Sequence, residues 1–564
     1  MPGISIRVTF RPTPGLEDRL MDARIRTYDM RYFIPRDSIS RIITREAVHG
    51  ELFPDSAHLA TSEDLRVVDI ILKDSQRLFG ILTMLKLSPA IRDFLAEEIS
   101  DLDLPFKIEN PIPIADQGRM EHLTLQTTSG QTILAFSRWP HRDISNFLRD
   151  QWCFMAPQFK QGMLHMEIDD SVVLPYVEYT ADGSKEGGFS SVWGVRIHAS
   201  HQDHYEATPD GTAPRIALKR LHSANYDRFE RETHMLKQLA PKNHPHLIKL
   251  LGTYYNQHSY HLMFPYAPEN LRSYWQRIES PWNVSGLIRW SFDQLRGVAS
   301  GLETIHDFSI GGTHEAEPDT LSVPHDNPRS QWGRHGDIKP ENILRFENDS
   351  NVYASIQDFG LLVLGDFGLM EFHGARTRSN VDPESIGGTP TYEPPEKRLR
   401  LPISRAFDMW SMGCMMLEFI TWLLESSKGV DEFSDFRAYM VYDELSIDPF
   451  YEIQLNKEKR LTYSSAVVNP RVLEWMDRLS EHERSTSMIR DLLILVQNRL
   501  LVVESRERMT SQELVQELDK MLELANHDTD YMSRIQGASI SRKSALRYDS
   551  STEDLRKEGG TKAS

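Results

Sequence analysis

Ten residues, His335-Gly336-Asp337-Ile338-Lys339-Pro340-Glu341-Asn342-Ile343-Leu344, constrain this chain more than any other stretch. Within one short loop they gather a carboxylate, an ammonium and a carboxamide, on Asp337, Lys339 and Asn342. Phosphoryl transfer asks for that set: a carboxylate near the attacking hydroxyl, a cation near the moving phosphate, and oxygen ligands for Mg2+. The spacing fits the pattern H-R-D-x-K-x-x-N, with Gly336 in the place of arginine.

Other segments would supply what this loop lacks. Ile216-Ala217-Leu218-Lys219 reads as a buried strand ending in a lysine, which can reach nucleotide phosphates once a carboxylate holds it. The helix-like segment Asp227 to Leu239 offers Glu232, with Phe229 and Leu236 marking its packed face. A loop covering phosphates needs small residues so that backbone N–H groups can approach the oxygens. Lys185-Glu186-Gly187-Gly188-Phe189-Ser190-Ser191-Val192 is a degraded form of such a loop, with Lys185 and Ser190 at glycine positions. On its own it reads as a hairpin turn.

The sequence Asp-Phe-Gly, which would supply a metal-binding aspartate, occurs twice, at Asp358 and Asp366. The motif should close a buried strand. Leu361-Leu362-Val363-Leu364 ahead of Asp366 has that look, whereas Val352 to Gln357 ahead of Asp358 alternates less cleanly. Spacing favours Asp358, which stands 16 residues after Asn342 against 24 for Asp366. The polar stretch Glu347 to Asn351 could absorb the difference as a surface loop, and Asp366 is the expected metal-binding aspartate.

Composition excludes several alternatives. A net charge of −18 over 564 residues argues against nucleic acid or an anionic membrane as the main partner. Two cysteines, Cys153 and Cys414, give no disulfide framework. The start lacks a signal-peptide pattern, Pro2 precludes N-myristoylation, and the apolar run Met412 to Leu424 carries Glu418 and is too short to span a bilayer. A cytoplasmic protein with possible nuclear access is expected.

Three regions follow from the patterning. Residues 1–171 show helical spacing, with Leu65, Val68, Leu72, Leu78, Leu82 and Leu85 on one face, then Ser88-Pro89 opening a helix that buries Ile91, Phe94 and Ile99. They are expected to form a helical accessory region. Residues 172–526 pass from short β-rich runs to long helices such as Ser285 to His306 and Phe407 to Leu424, an α+β order or two lobes. Residues 527–564 are polar and expected to be a disordered tail. His198, His201 and His204 invite a metal reading, but a solvated turn between strands is the expectation.

On these motifs residues 172–526 resemble a eukaryotic protein kinase, and Lys339, two residues after Asp337, resembles the serine/threonine branch. The resemblance implies a bilobal fold, ATP and Mg2+, and a protein substrate. It implies that Asp337 and Lys339 are catalytic and that Asn342 and Asp366 hold metal. Gly187, Gly188, Ser190, Val192, Ala217, Lys219, Glu232, Phe264, Tyr266 and Ala267 would bind the nucleotide, with Phe264 as gatekeeper. Gly388-Thr389-Pro390-Thr391-Tyr392-Glu393-Pro394-Pro395-Glu396 is similar to the end of a kinase activation segment; Thr389 would bond the catalytic aspartate and Glu396 would pair with Arg508. More loosely, Phe33-Ile34-Pro35-Arg36-Asp37, Gln151-Trp152-Cys153-Phe154 and Ser379-Asn380-Val381-Asp382-Pro383 resemble kinase-domain proteins of filamentous fungi. Gly336 removes the arginine that reads an activation-loop phosphate, so control is expected from the N-terminal region or from partner binding, with the N-terminal region or the insertion 309–334 as the surface for a protein partner. A pseudokinase that binds without efficient transfer is the alternative.

Overall fold

The computed structural model describes residues 14–54, 61–109, 124–186, 190–207, 212–222, 226–307, 331–347, 359–366, 371–374, 389–441, 445–455 and 463–533. Gly187, Gly188, Asp358 and most of the insertion 309–334 lie outside them. Two compact units result: residues 1–225 with 250–266, and residues 226–249 with 267–564.

In the first unit, short helices at Leu16–Asp22, Arg36–Ile42, Arg45–Leu52, Ser62–Asp74, Gln76–Met84, Ile91–Ala96 and His141–Asp150 enclose an apolar core. A capping box explains why one helix begins after Thr61: Thr61 accepts from the Asp64 N–H, and Asp64 Oδ2 accepts from the Thr61 N–H at 3.0 Å. That helix buries Val67, Val68 and Ile71, while Leu65 is 44% exposed, so the expected apolar face is turned by part of a residue step. The second half of the expected face holds, with Leu78 and Leu82 fully buried. Aromatic rings fill the far end of the core: Phe94 meets Phe136 edge-on at 5.1 Å, and Phe106 stacks on Phe147 at 5.3 Å.

The same unit holds a six-stranded sheet in the order His165–Glu167, Gly252–Asn256, Ser259–Pro265, Arg215–Leu221, Ser190–Ile197, Tyr176–Glu186. Its neighbours are antiparallel except for His165–Glu167, an edge strand from before Val172 that pairs parallel with Gly252–Asn256. Register sorts the faces. Lys219 stands opposite Val192 and Leu262, and Ala217 opposite Gly194 and Phe264, so these six share one side. Tyr179, Trp193, Leu218 and Arg220 take the other.

In the second unit the helix Ala406–Arg437, broken at Ser426, runs through the core, and its span from Phe407 to Leu424 is buried all round. Leu271–Arg277, Leu287–His306, Pro470–Glu481, Ser487–Leu495 and Ser511–His527 complete the helical frame. A three-stranded sheet, Glu269–Asn270, Ile343–Phe346 and Leu361–Leu364, carries the candidate site. Glu418, the charge in the apolar run, is buried between Arg272 Nη2 at 2.8 Å and Arg437 Nη2 at 2.9 Å. No helix among the described residues is long and apolar enough to cross a membrane. Order continues past residue 527 to Ser533, because the buried Tyr531 hydroxyl donates to Asp491 at 2.7 Å.

Two expectations need correction. The segment 309–334 does not stay irregular to its end: Gln331–Arg334 is a strand paired with Glu371–Gly374, and the fully buried Arg334 guanidinium lies 5.1 Å from the Phe407 ring centre. The histidine run is not a solvated turn. His201 is 3% exposed, and its Nε2 accepts the Arg36 N–H at 3.1 Å while Nδ1 donates to the Pro157 carbonyl at 2.9 Å. Burial holds this ring down to about 4, which fits a neutral imidazole in that bonding pattern.

Candidate active site around the Asp337 loop

The loop is anchored from beneath by Asp408, on the first turn of the long buried helix. Its carboxylate accepts the backbone N–H groups of His335 and Gly336, both at 2.8 Å, and the ring of His306 at 2.8 Å. Burial alone would raise this carboxyl, but the His306 bond, the neighbouring histidines and the Gly336 N–H outweigh it and hold it below the usual range. Gly336 takes φ +84°, a left-handed conformation in which glycine carries no steric penalty. His335 Nε2 donates to the Gly365 carbonyl at 3.0 Å, and the Gly365 N–H donates to the Asn342 carbonyl at 2.9 Å.

Four side chains converge above this base. Asp337 Oδ2 receives Asn342 Nδ2 at 2.9 Å and Lys339 Nζ at 2.8 Å. Its Oδ1 receives the Thr389 hydroxyl at 3.0 Å, and Lys339 Nζ also reaches Thr389 Oγ1 at 2.6 Å. Pro340 opens a single 3-10 turn that brings Asn342 back under Asp337. A carboxylate held by three donors keeps one orientation and can take a proton from an incoming hydroxyl. With Nδ2 committed, Oδ1 is the remaining ligand atom of the Asn342 amide.

The strand Leu361–Leu364 is fully buried and paired with Ile343–Phe346. Phe359 and Gly360, from the first Asp-Phe-Gly, form the turn that enters it. Gly360 has φ +94°, and an added Cβ would lie 2.5 Å from the Phe346 carbonyl oxygen. Asp366, from the second, stands at the strand's exit, exposed and with φ +56°. On its other side the strand is tied to the segment from His246: its carbonyl accepts the Leu364 N–H at 2.8 Å, and its Nδ1 donates to the Leu362 carbonyl at 2.7 Å.

Of the remaining expected site residues, Lys219 is buried, and Ser190, Val192, Ala217 and Phe264 follow its side of the sheet. Tyr266 closes over Gly194, where an added Cβ would come within 2.8 Å of its ring. Glu232 lies on the helix Tyr226–Leu239, its side chain outside the described residues, and Ala267 belongs to the second unit. Glu396 and Arg508 form the expected pair, bidentate at 2.7 Å for both bonds and buried. Sequence reasoning missed His306 and the Arg272–Glu418–Arg437 network. The one available signal was Glu418, a charge inside an otherwise apolar helical run.

Comparison with known proteins agrees with this geometry. Residues 330–518 match the family model described as the protein kinase domain. The chain is 28% identical over 211 residues to the serine/threonine-protein kinase RAD53 of Saccharomyces cerevisiae, covering 37% of this chain and 22% of that protein. It is 24% identical over 201 residues to a calcium/calmodulin-dependent protein kinase type 1 of Macrobrachium nipponense, covering 36% and 46%. A mitogen-activated protein kinase kinase kinase of Arabidopsis thaliana, ANP1, is 25% identical over 209 residues, covering 37% and 25%. The chain thus spans less than half the length of each of these relatives. Together these matches support a protein kinase, a transferase by class.

Proposed function

We propose that this chain is a serine/threonine protein kinase moving the γ-phosphate of Mg-ATP to hydroxyls of protein substrates. The observation that carries the proposal is the convergence of Lys339, Asn342 and Thr389 on the Asp337 carboxylate. Asp337 would accept the proton of the attacking hydroxyl, and Lys339 would steady the phosphate as it moves. Asn342 Oδ1 and the Asp366 carboxylate are hard oxygen donors, the type that suits Mg2+ bound partly through substrate phosphates. Mg2+ would neutralise phosphate charge there. Lys219, held by Glu232, would orient the α- and β-phosphates. Gly187, Gly188, Ser190 and Val192 would cover them, and Ala217, Phe264, Tyr266 and Ala267 would bound the base. Serine/threonine preference is favoured by Lys339 and by the name of the Saccharomyces cerevisiae relative.

In this reading residues 172–526 are the bilobal catalytic domain, residues 1–171 an accessory region akin to fungal kinase-domain proteins, and 527–564 a tail. A protein partner would use the N-terminal region or the segment 309–334, and the cytoplasm, with access to the nucleus, is the proposed compartment. Lys185 and Ser190, where glycines are usual, favour the second reading of a pseudokinase. The two readings separate in one assay. Full-length protein with γ-labelled Mg-ATP and a generic protein substrate should place label on serine and threonine. Lys219→Met, which keeps the apolar stem and loses the charge, should reduce it at least about a hundredfold. ATP binding without label transfer would favour the pseudokinase.

A further inference from the structure

The hairpin joining Ile25–Arg26 to Tyr32–Phe33 is built to hold one shape and one place. Its turn closes through the Thr27 N–H to the Arg31 carbonyl at 2.9 Å, with Met30 at φ +67° and Asp29 bridging Thr27 and Arg31. Both ends of the hairpin are tied to the six-stranded sheet or its approaches. Arg31 Nη1 donates to the carbonyls of Asp170 and Ser171 at 3.4 and 3.3 Å. At the other end the buried Phe33 meets His201 edge-on at 5.4 Å, and Arg36 is bonded to His201 and, at 2.7 Å, to Gln158.

Between these ties the Tyr28 ring stacks on Tyr179, 4.5 Å between centres and 11° from parallel. Tyr179 lies 6.1 Å from Trp193, and Arg220 places its guanidinium 5.1 Å from the Trp193 ring centre. These three residues stand on successive strands, on the sheet face opposite Lys219, and Arg220 adjoins Lys219 in the chain. The stack therefore ends on the strand that presents the lysine.

We propose that Tyr28 is a positioning residue for nucleotide binding, acting through Tyr179, Trp193 and Arg220 on the strand Arg215–Leu221. The inference rests on the kinase reading above. A hairpin that served only to shield apolar surface would bury the rings it covers, yet Tyr179 and Trp193 both stay partly exposed, and Tyr28 itself is 53% exposed. What the hairpin gains from its rigid turn and double tie is a fixed ring position. Offset aromatic stacking and a cation over a ring then pass that position from strand to strand. Small displacements of a phosphate-orienting group cost binding and rate steeply.

The test uses full-length protein and compares wild type, Tyr28→Ala and Tyr28→Phe. Tyr28→Ala should raise KM for ATP about three- to tenfold while kcat and KM for the protein substrate stay within about twofold. Tyr28→Phe, which keeps the stack, should restore wild-type KM. An unchanged KM for ATP in Tyr28→Ala would overturn the proposal, as would Tyr28→Phe behaving like alanine. A parallel fall in kcat and melting temperature would assign the ring a structural role and overturn it too. If wild type transfers no phosphate, the kinase reading has failed, and calorimetric Kd for Mg-ATP in the three proteins decides the positioning claim separately. Equal Kd values, or binding by none of the three, would refute it.

Discussion

Gly336 and His201 each show a single residue whose backbone or ring state is set by its neighbours. At Gly336 the two N–H groups bonded to Asp408 require the left-handed backbone, so the missing arginine is also a removal of strain. Gly336→Arg should lower stability by about 1–2 kcal/mol, measured by urea unfolding, because a side chain there meets its own carbonyl. An unchanged midpoint would show that the loop relaxes. His201 works through protonation. Its pKa is depressed in the folded chain from 6.5 to about 4, so between those values the unfolded chain binds more protons. Stability contributed by the neutral ring is complete above about pH 7 and falls with pH, by about 2 kcal/mol at pH 5. Burial drives His246 and His261 the same way, also to about 4. Unfolding free energy should therefore fall between pH 7 and pH 5, with a shallower slope in His201→Gln; parallel slopes would remove His201 from the account. None of this was legible in the histidine run, because the groups that bury His201 come from residues 33–36 and 157, far off in the chain.

Elements were legible where the pattern was unambiguous. Four consecutive apolar residues, Leu361 to Leu364, do form a strand buried on both sides, and the long apolar run after Phe407 does form a buried helix. Burial on one side only was harder: the helix Ser62–Asp74 was read with Leu65 inward, whereas the capping box sets Asp64, Val67 and Val68 there instead. The strand Gln331–Arg334 was hidden, since its partner Glu371–Gly374 lies some forty residues downstream. The two Asp-Phe-Gly copies illustrate how element position gives a motif meaning. One supplies the turn into the strand Leu361–Leu364 and the other its exit. Asp366→Ala should abolish Mg-ATP-dependent transfer, and Asp358→Ala should leave most of it, in initial-rate assays across a Mg2+ series. The opposite ranking would move the metal site to the first copy. The Glu396–Arg508 pair fixes the short helix Pro395–Arg398 against the helical frame. Glu396→Ala would leave a buried guanidinium unmatched, with an expected loss of about 3–5 kcal/mol by chemical denaturation.

Across the whole molecule, the region before Val172 is continuous with the sheet that bears Lys219. It contributes the edge strand His165–Glu167, and the Ile168 and Asp169 carbonyls accept both bonds from the Asn256 side chain at 3.2 Å. Phe159 stacks on Tyr176 at 6.4 Å and lies 5.8 Å from Tyr254. A chain beginning at Val172 should therefore melt lower than the full chain and expose a sheet edge, seen as aggregation in light scattering; a monodisperse fragment of equal melting temperature would contradict this. At the site itself, the proposed base in phosphoryl transfer is the carboxylate held by Lys339, Asn342 and Thr389. The most direct measurement is the initial rate of label transfer from γ-labelled Mg-ATP to protein, in wild type and Asp337→Asn, beside the ATP Kd of each. The rate in Asp337→Asn should fall at least about a thousandfold, with Kd held within about threefold. Equal rates in the two proteins, at equal Kd, would contradict it.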